Sequence, residues 1–479
     1  MNYSICFYTL GTLLKVEAGL MLLPLMVCFL YGEDPMPFGM VIAMLLVAGT
    51  LLTLRRPKNE AMYAKEGFWI VGASWILLSL FGALPFTISG QIPRFVDAFF
   101  ETVSGFTTTG ASILTDVEAL SQGILFWRSF THWVGGMGVL VFVLAVLPKS
   151  DAKTMYIMKA EVPGPTCGKL VARVRHTALI LYGIYLALTV ILTALLMAGG
   201  MPAFDSLVHA FGTAGTGGFG IKGASIGYYD SAYFDTVIGI FMLLFGVNFN
   251  LYYFLLLGDF VSVFRSEELR WYLGIVTGAV VLITVNILPQ YGTVLRSLRY
   301  AFFQVASIIT TTGYATADFG QWPMLSQTIL VCIMFVGAMA GSTGGGLKVS
   351  RAVMLIKMIG KEIRHLLHPR SVNSVRFEGK QVDGATLKSV SSYFAIYMVC
   401  MVAVYMLLSL DAFDLETNLS ATFACFNNIG PGLGAVGPTA SYALYSPLSK
   451  IVLSLAMLMG RLEIFPLLLT LSPATWMKK

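Results

Sequence analysis

The chain has little charge and few of the residues that bind metals or form disulfides. Only 12% of its 479 residues are charged, and it contains five histidines and six cysteines. The cysteines form no CxxC pair and have no histidine at metal-ligand spacing, which argues against a disulfide framework or a zinc motif and indicates small buried hydrophobic residues. The sequence also lacks a nucleotide-binding motif, a catalytic dyad and an HExxH pattern. It therefore predicts no enzyme, and any use of ATP would belong to another subunit.

Long apolar runs take the place of these features. Hydrophobic residues make up 57% of the chain, and the mean hydropathy is +0.77. A hydrocarbon core of roughly 30 Å takes about 20 helical residues to cross. The first run has no small-residue cleavage pattern after it, so we expect a retained span rather than a signal peptide. The sequence predicts ten spans, at about 8–31, 36–54, 67–89, 124–147, 172–199, 232–263, 272–290, 325–359, 386–410 and 445–471.

Lysine and arginine lie in every alternate loop between these spans. The basic loops are Arg55 to Lys65, Lys149 to Arg175, Arg265 to Arg270, and Lys361 to Lys388. Because cytoplasmic loops carry an excess of Lys and Arg, we expect these loops and both termini on the cytoplasmic side. The opposite loops are acidic and would attract cations. The net charge of +6 thus follows from topology and predicts no nucleic acid partner.

Four segments on the outer side are too short to cross the membrane, at 94–106, 203–214, 297–309 and 415–426. Each ends in a Thr/Gly or Asn/Gly segment, at 107–110, 215–218, 310–313 and 427–430. A unit of span, short re-entrant helix, extended segment and span therefore recurs four times. We predict an all-α polytopic membrane protein with four such repeats around one central pore, after an N-terminal two-helix hairpin. The predicted boundaries are 1–60 for the hairpin and 61–150, 151–265, 266–365 and 366–479 for the four repeats.

The four Thr/Gly or Asn/Gly segments, called the filter segments below, have the chemistry to bind a dehydrated cation. Non-helical backbone inside a bilayer must be buried in protein or line water, and a ring of carbonyls can replace the hydration shell of a cation. Helices that descend from outside direct the partial negative charge of their C-terminal ends, about half an electron each, towards the membrane centre. The tightest turn favours glycine. The predicted ion-binding residues are Thr108, Thr109, Gly110, Thr216, Gly217, Thr311, Thr312, Gly313, Asn428, Ile429 and Gly430, with the four tight turns at Gly110, Gly217, Gly313 and Gly430.

A run of glycines interrupts the predicted span at 325–359. Each glycine inside a helix costs roughly 1 kcal/mol relative to alanine, so we expect a loop at mid-membrane that can block the pore and move aside. Close helix packing through small residues is the alternative. The predicted gate residues are Gly341, Ser342, Thr343, Gly344, Gly345 and Gly346.

Arg461 lies inside the last predicted span. A charge there costs about 2.5–3.5 kcal/mol on insertion scales unless it faces water or a partner. Arg461 is therefore either a positive barrier in the pore or half of a structural pair. Glu463 is not the expected partner, because a residue two positions away faces another side of the helix.

Several motifs together resemble a known family. These motifs are residues 126–138 (FWRSFTHWVGGMG), the filter segments, 341–348 (GSTGGGLK) and 460–465 (GRLEIF). They resemble the TrkH/TrkG family, the membrane subunits of bacterial Trk potassium uptake systems, over essentially the whole chain, and the hairpin is more similar to TrkH than to the related KtrB. The resemblance implies that K⁺ is the transported ion bound in the filter, and that Lys348 and Arg461 belong to the gate beneath it. It also implies a homodimer in the lipid of the bacterial cytoplasmic (inner) membrane, controlled by a cytosolic nucleotide-binding subunit similar to TrkA.

The chain departs from this pattern in two filter segments. It has Gly215 where relatives often carry Ser or Thr, and Asn427 and Asn428 replace Thr in the fourth segment. We therefore expect looser selectivity than in a dedicated potassium channel. The alternative function is potassium symport coupled to H⁺ or Na⁺, which needs a titratable group on the ion path. The nearest such group, Glu101, is expected to bond the filter backbone instead, and a receptor or intramembrane enzyme would leave the four repeats unexplained.

Overall fold

The structure is a computed structural model that describes residues 2–57, 63–138, 174–371 and 373–472. Nearly all of the regular structure in these ranges is helical, because a helix satisfies its own backbone hydrogen bonds inside a bilayer. In chain order the helices are α1 (Tyr3–Leu20), α2 (Leu22–Tyr31), α3 (Met36–Thr53), α4 (Ala64–Gly82), α5 (Leu84–Ile88), α6 (Phe95–Phe106), α7 (Gln122–Gly136), α8 (Val174–Ala198), α9 (Ala203–Ala214), α10 (Ala232–Phe245), α11 (Phe249–Leu256), α12 (Phe260–Arg265), α13 (Glu267–Tyr291), α14 (Val294–Ile309), α15 (Met324–Val336), α16 (Val349–Leu367), α17 (Gly384–Leu408), α18 (Leu415–Phe426), α19 (Pro447–Arg461) and α20 (Phe465–Leu471). Two short strands, β1 (Arg376–Phe377) and β2 (Lys380–Gln381), form an antiparallel hairpin between α16 and α17.

Six segments of the described chain are long and apolar enough to cross a membrane. They correspond to six of the ten predicted spans, and the protein is therefore a multi-pass membrane protein. The predicted span 124–147 begins in α7, and its second half lies outside the described residues, as do the Lys149 to Arg175 loop and the boundaries predicted at 60 and 150. The six spans are Tyr3–Tyr31, Met36–Thr53, Lys65–Ile88, Ala178–Ala198, Glu267–Tyr291 and Gly384–Leu408.

Three predicted spans are not single helices. The span predicted at 232–263 is wrong as one helix, because α10 and α11 meet at a bend of 91°. The span predicted at 325–359 is interrupted at residues 337–348, as its glycines indicated. The span predicted at 445–471 is also divided, since Glu463 and Ile464 adopt left-handed backbone with φ of 56° and 64°.

Two of these interruptions satisfy each other's backbone. The amide of Met339 donates to the carbonyl of Gly246 at 3.1 Å, and the amide of Phe249 donates to the carbonyl of Gly341 at 3.0 Å. The Asn248 side chain accepts from the Asn250 amide at 3.0 Å and so begins α11. The bend in one broken helix is therefore stabilised by the loop in the other.

A short helix lies at each of the four positions predicted for a re-entrant helix. These are α6, α9, α14 and α18, and each ends directly before a filter segment. The observed bounds differ from the predicted ones by no more than three residues, with the largest difference at Val294, where α14 begins before the predicted 297.

The N-terminal hairpin packs closely within itself and also contacts the start of α7. Gly11 and Gly49 allow α1 and α3 to touch, since a methyl group on Gly49 would lie 2.7 Å from the Gly11 carbonyl. The carboxylate of Glu33 accepts from the amides of Gln122 and Gly123 at the start of α7, at 2.6 and 2.9 Å. Glu17 is only 1% exposed, and within the described residues neither of its carboxylate oxygens has a hydrogen-bond partner.

Candidate functional site

The four filter segments share one backbone conformation. The second residue of each segment is left-handed, with φ of 55° at Thr108, 54° at Thr216, 59° at Thr311 and 57° at Asn428. A β-branched residue rarely adopts this region. The same strained turn at four places therefore indicates one structural role repeated four times.

The glycine of each segment follows the left-handed residue after one intervening position. The four glycines with positive φ are Gly110 (77°), Gly218 (76°), Gly313 (83°) and Gly430 (95°). The prediction of Gly217 for the second segment is thus wrong by one residue, and Gly217 corresponds instead to Thr109, Thr312 and Ile429. In every case the glycine is the fourth residue after the preceding short helix, which ends at Phe106, Ala214, Ile309 or Phe426.

These glycines bring the four segments into contact in cyclic order. A methyl group on Gly110 would overlap the Gly217 carbonyl, one on Gly218 the Thr312 carbonyl, and one on Gly313 the Ile429 carbonyl. One on Gly430 would lie 2.6 Å from the Thr109 carbonyl, which returns to the first segment. Each glycine is required by the close approach of the next segment as well as by its own φ.

Side chains hold the segments from behind. The hydroxyls of Thr107 and Thr109 lie 2.8 Å apart, and the same pair recurs at Thr310 and Thr312, also at 2.8 Å. In the fourth segment Asn428 donates to the Thr109 hydroxyl at 2.9 Å and so joins segments four and one. The threonine hydroxyls of segments one and three therefore take part in hydrogen bonds that support the filter backbone.

A buried ion pair lies above the first filter segment. The Glu101 carboxylate accepts from the Ile113 amide at 2.9 Å and from Arg128 Nε at 2.6 Å. Arg128 also donates to the Gly220 carbonyl at 2.8 Å and lies 3.6 Å above the centre of the Phe219 ring. Glu101 therefore bonds backbone just beyond the first filter segment, and Arg128 links α7 to the backbone just beyond the second.

One outer cavity contacts all four filter segments. Its volume is about 300 Å³, and Gly110, Gly218, Gly313 and Gly430 all line it. At its rim Lys222 pairs with Glu118 at 2.9 Å. The hydrogen bond from Lys222 lowers the pKa of the Glu118 carboxyl, and the same bond raises the pKa of Lys222.

The glycine-rich segment between α15 and α16, residues 337–348, is called the gate loop below. It touches two filter segments. The amide of Gly345 donates to the Thr311 hydroxyl at 2.6 Å, and a methyl group on Gly345 would lie 2.5 Å from the Asn427 carbonyl. Lys348 donates to the Gly344 carbonyl within the loop. Gly341, Gly346 and Lys348 have φ between 74° and 78°, so the segment is a fixed turn and not a continuous helix.

Arg461 reaches the gate loop from the end of α19. Its guanidinium donates to the Thr343 carbonyl at 2.7 Å and to the carbonyls of Gly135 and Gly136 at 2.6 Å each. Glu463 pairs with Arg351 at 3.0 Å, in agreement with its prediction as a poor partner for Arg461. Arg461 therefore joins the loop to the end of α7.

Glu268 is a gate-loop contact that the sequence did not indicate. Its Oε1 accepts from the Ala340 amide at 2.8 Å and from the Ser350 amide at 3.1 Å, one on each side of the glycine run. The side chain is 5% exposed. In the sequence it looks like an ordinary acidic residue in the first turn of α13, so no pattern distinguished it.

Comparison with known proteins gives a consistent result. The sequence model of a family described as "TrkH: Cation transport protein" matches residues 36–477. The chain is 37% identical to the Trk system potassium uptake protein TrkH of Salmonella typhimurium, over 99% of this chain and 100% of that protein. It is 33% identical to the Trk system potassium uptake protein TrkG of Escherichia coli, over 95% of each. The crystal structure of the potassium transporter TrkH from Vibrio parahaemolyticus superposes with a TM-score of 0.90 at 33% identity and covers 100% of both chains.

The matched ranges include all the motifs that resemble the TrkH/TrkG family in the sequence. They support a membrane transport protein and not an enzyme, as the sequence predicted. With a family model over most of its length and relatives above 30% identity over nearly all of it, this chain belongs to the TrkH/TrkG family of cation transport proteins.

Proposed function

We propose that this protein is the ion-conducting subunit of a potassium uptake system, with one pore surrounded by its four repeats. The observation that supports this most strongly is the cyclic contact of four filter segments with the same backbone conformation. The outer cavity lined by all four glycines provides a common entrance. Because its relatives are named as potassium uptake proteins, K⁺ is the proposed ion.

In this proposal K⁺ loses its water and binds to backbone oxygens of the filter segments. The contributing residues are those predicted from the sequence, with Gly218 in place of Gly217 as the tight turn of the second segment. The C-terminal ends of α6, α9, α14 and α18 point to these segments and add a negative potential. Inward movement is driven by the membrane potential, worth about 2.3 kcal/mol per charge per 100 mV.

The gate loop closes the path on the inner side of the filter. Its bonds to Thr311, Arg461 and Glu268 hold it directly below segments three and four. Opening then requires these bonds to break together. We infer that a cytosolic nucleotide-binding subunit similar to TrkA supplies this change. We also infer that the membrane protein itself works as a homodimer in the bacterial inner membrane, with both of its termini cytoplasmic.

The experiment is rubidium uptake into liposomes that hold the purified protein, with Na⁺ competition and a proton gradient applied separately. A channel gives uptake that follows voltage, is outcompeted by K⁺ and ignores the proton gradient. Uptake that requires an H⁺ or Na⁺ gradient would instead establish the coupled symporter. If the protein alone is silent, the regulatory subunit is added, and continued silence would overturn the pore.

Gly313→Ser provides the matched test of the filter. Its added side chain meets the Ile429 carbonyl, and its φ of 83° is unfavourable for serine. We expect loss of rubidium-over-sodium preference. Gly278→Ser is the control, because Gly278 lies within α13 and a methyl group there would meet no atom within 4 Å.

A further inference from the structure

The second filter segment lacks the paired threonines that support two of the others. In segments one and three the first and third residues are threonines whose hydroxyls bond each other at 2.8 Å. The corresponding residues of segment two are Gly215 and Gly217. The chain nevertheless has the same conformation there, with φ of 54° at Thr216. Another group must therefore support this segment.

The space that those side chains would need is occupied by His132 of α7. A methyl group on Gly217 would overlap the imidazole ring, and one on Gly215 would overlap the His132 carbonyl. His132 is fully buried. A threonine at 217 is thus incompatible with the His132 ring, and one at 215 with the His132 backbone carbonyl, which gives a physical reason for each glycine.

The imidazole is itself packed against an aromatic ring. It stacks on the Phe219 ring with the two centroids 4.2 Å apart and an angle of 19° between the planes. Phe219 directly follows Gly218 and also carries the Arg128 guanidinium 3.6 Å from its ring centre. The stack of Arg128, Phe219 and His132 therefore contacts segment two near its C-terminal end, at Gly217 and Gly218. Protein interiors are close-packed, so a rigid ring in this position fixes the backbone against it.

We propose that His132 is a positioning residue for ion selectivity, whose imidazole replaces the paired threonines as the support of the second filter segment. This rests on the proposed function, because it assumes that segment two belongs to a selectivity filter. His132 does not touch the ion. It acts by holding the carbonyls of residues 215–218 where the ion meets them.

The proposal predicts a reciprocal exchange between two residues. His132→Ala should leave segment two loose, and Gly217→Thr should overlap the imidazole. We expect each single variant to lose rubidium-over-sodium preference by about fivefold or more, within the range of coupling between residues in direct contact. The double variant His132→Ala with Gly217→Thr has room for a side chain behind the segment and should recover most of the preference.

The measurement is rubidium uptake under sodium competition by the full-length protein in liposomes, with thermal unfolding of each variant in detergent. Phe126→Ala is the control for general loss of packing, because Phe126 is a buried aromatic residue of the same helix that stacks on Phe130 and meets Phe211 edge to face. It should lower thermal stability without changing selectivity. If the single variant His132→Ala proves too unstable to reconstitute, the comparison is made between Gly217→Thr and the double variant, in which the threonine side chain takes up the space left by the imidazole.

The outcomes separate the two proposals. A wild-type protein without rubidium-selective uptake, even with its regulatory subunit, contradicts the proposed function. A selective wild type whose double variant is no better than Gly217→Thr alone overturns the role of His132 and leaves the filter intact. Recovery in the double variant, with no change in Phe126→Ala, supports His132 as the support of segment two.

Discussion

Arg461 donates a hydrogen bond of 2.7 Å to the backbone carbonyl of Thr343 and so ties the end of α19 to the middle of the gate loop. The same guanidinium bonds the carbonyls of Gly135 and Gly136, at the end of α7. A charge at this depth is tolerated because it finds carbonyl oxygens or water. Of the two alternatives that the sequence left open, the structure shows a structural contact, made to backbone carbonyls, and the positive barrier in the pore stays a prediction.

Replacing Arg461 by glutamine should allow the protein to conduct ions without its regulatory subunit. The variant removes the positive charge and most of the bonds to Thr343, Gly135 and Gly136. Charge-assisted hydrogen bonds contribute about 1.5–3 kcal/mol each, so we expect rubidium uptake without the regulatory subunit to rise by at least about tenfold. Arg364→Gln is the control, because Arg364 is exposed near the end of α16. Unchanged basal uptake in Arg461→Gln would show that this contact does not keep the gate loop closed.

Glu268 should hold the gate loop through one oxygen and not through its charge. Both of its bonds, to the amides of Ala340 and Ser350, go to Oε1. Glu268→Gln keeps an oxygen acceptor and should change basal rubidium uptake little. Glu268→Ala leaves two buried amides without an acceptor, and each unsatisfied amide costs about 1–3 kcal/mol of free energy. This variant should therefore raise basal rubidium uptake strongly. If the two variants behave alike, the charge rather than the acceptor is what matters.

The positions of the short helices and filter segments could be predicted because each is a local pattern. The short apolar segments before Thr107, Gly215, Thr310 and Asn427 are too short to span, and their glycines mark the turn. The tight turn of the second segment is predicted at Gly217 and lies at Gly218, an error of one residue that arises because two adjacent glycines look equivalent in sequence. Only the constant distance from the helix end, together with the close approach of the Thr312 carbonyl, distinguishes them.

The remaining features depend on contacts between distant parts of the chain. The bend after Phe245 lies in an apolar run, and the gate loop that satisfies its free carbonyls is about a hundred residues away. Glu268 resembles an ordinary acidic residue in the first turn of a helix until the fold buries it. For such groups the local sequence carries no signal, because their environment is created by tertiary packing.

The Glu118 to Lys222 pair at the rim of the outer cavity should weaken in acid. The hydrogen bond from Lys222 lowers the pKa of Glu118 below its ordinary value of 4.5. A lowered carboxyl pKa in the folded state adds stability that is present above the ordinary pKa and is lost as the pH falls through the lowered one. The effect should be small, because 47% of the Glu118 side chain is exposed. The thermal midpoints of the wild type and Lys222→Met should therefore differ slightly at neutral pH and converge on acidification, and a difference that grows in acid would contradict the assignment.

The Glu101 to Arg128 pair should be far more sensitive to loss of one partner than to loss of both. Glu101 is 1% exposed and Arg128 is 3% exposed, and their 2.6 Å contact joins the first short helix to α7. Removing one partner of a buried pair typically costs about 3–5 kcal/mol, because an unpaired charge stays behind. Arg128→Met should therefore lower the thermal midpoint in detergent sharply.

The double variant Arg128→Met with Glu101→Gln should recover much of this stability, since no buried charge remains and the glutamine can still accept from the Ile113 amide. Lys222→Met, which removes a cation from an exposed pair, is the matched control and should cost much less. A double variant as unstable as Arg128→Met would mean that the stack of Arg128 on Phe219, and not its charge, provides the stability.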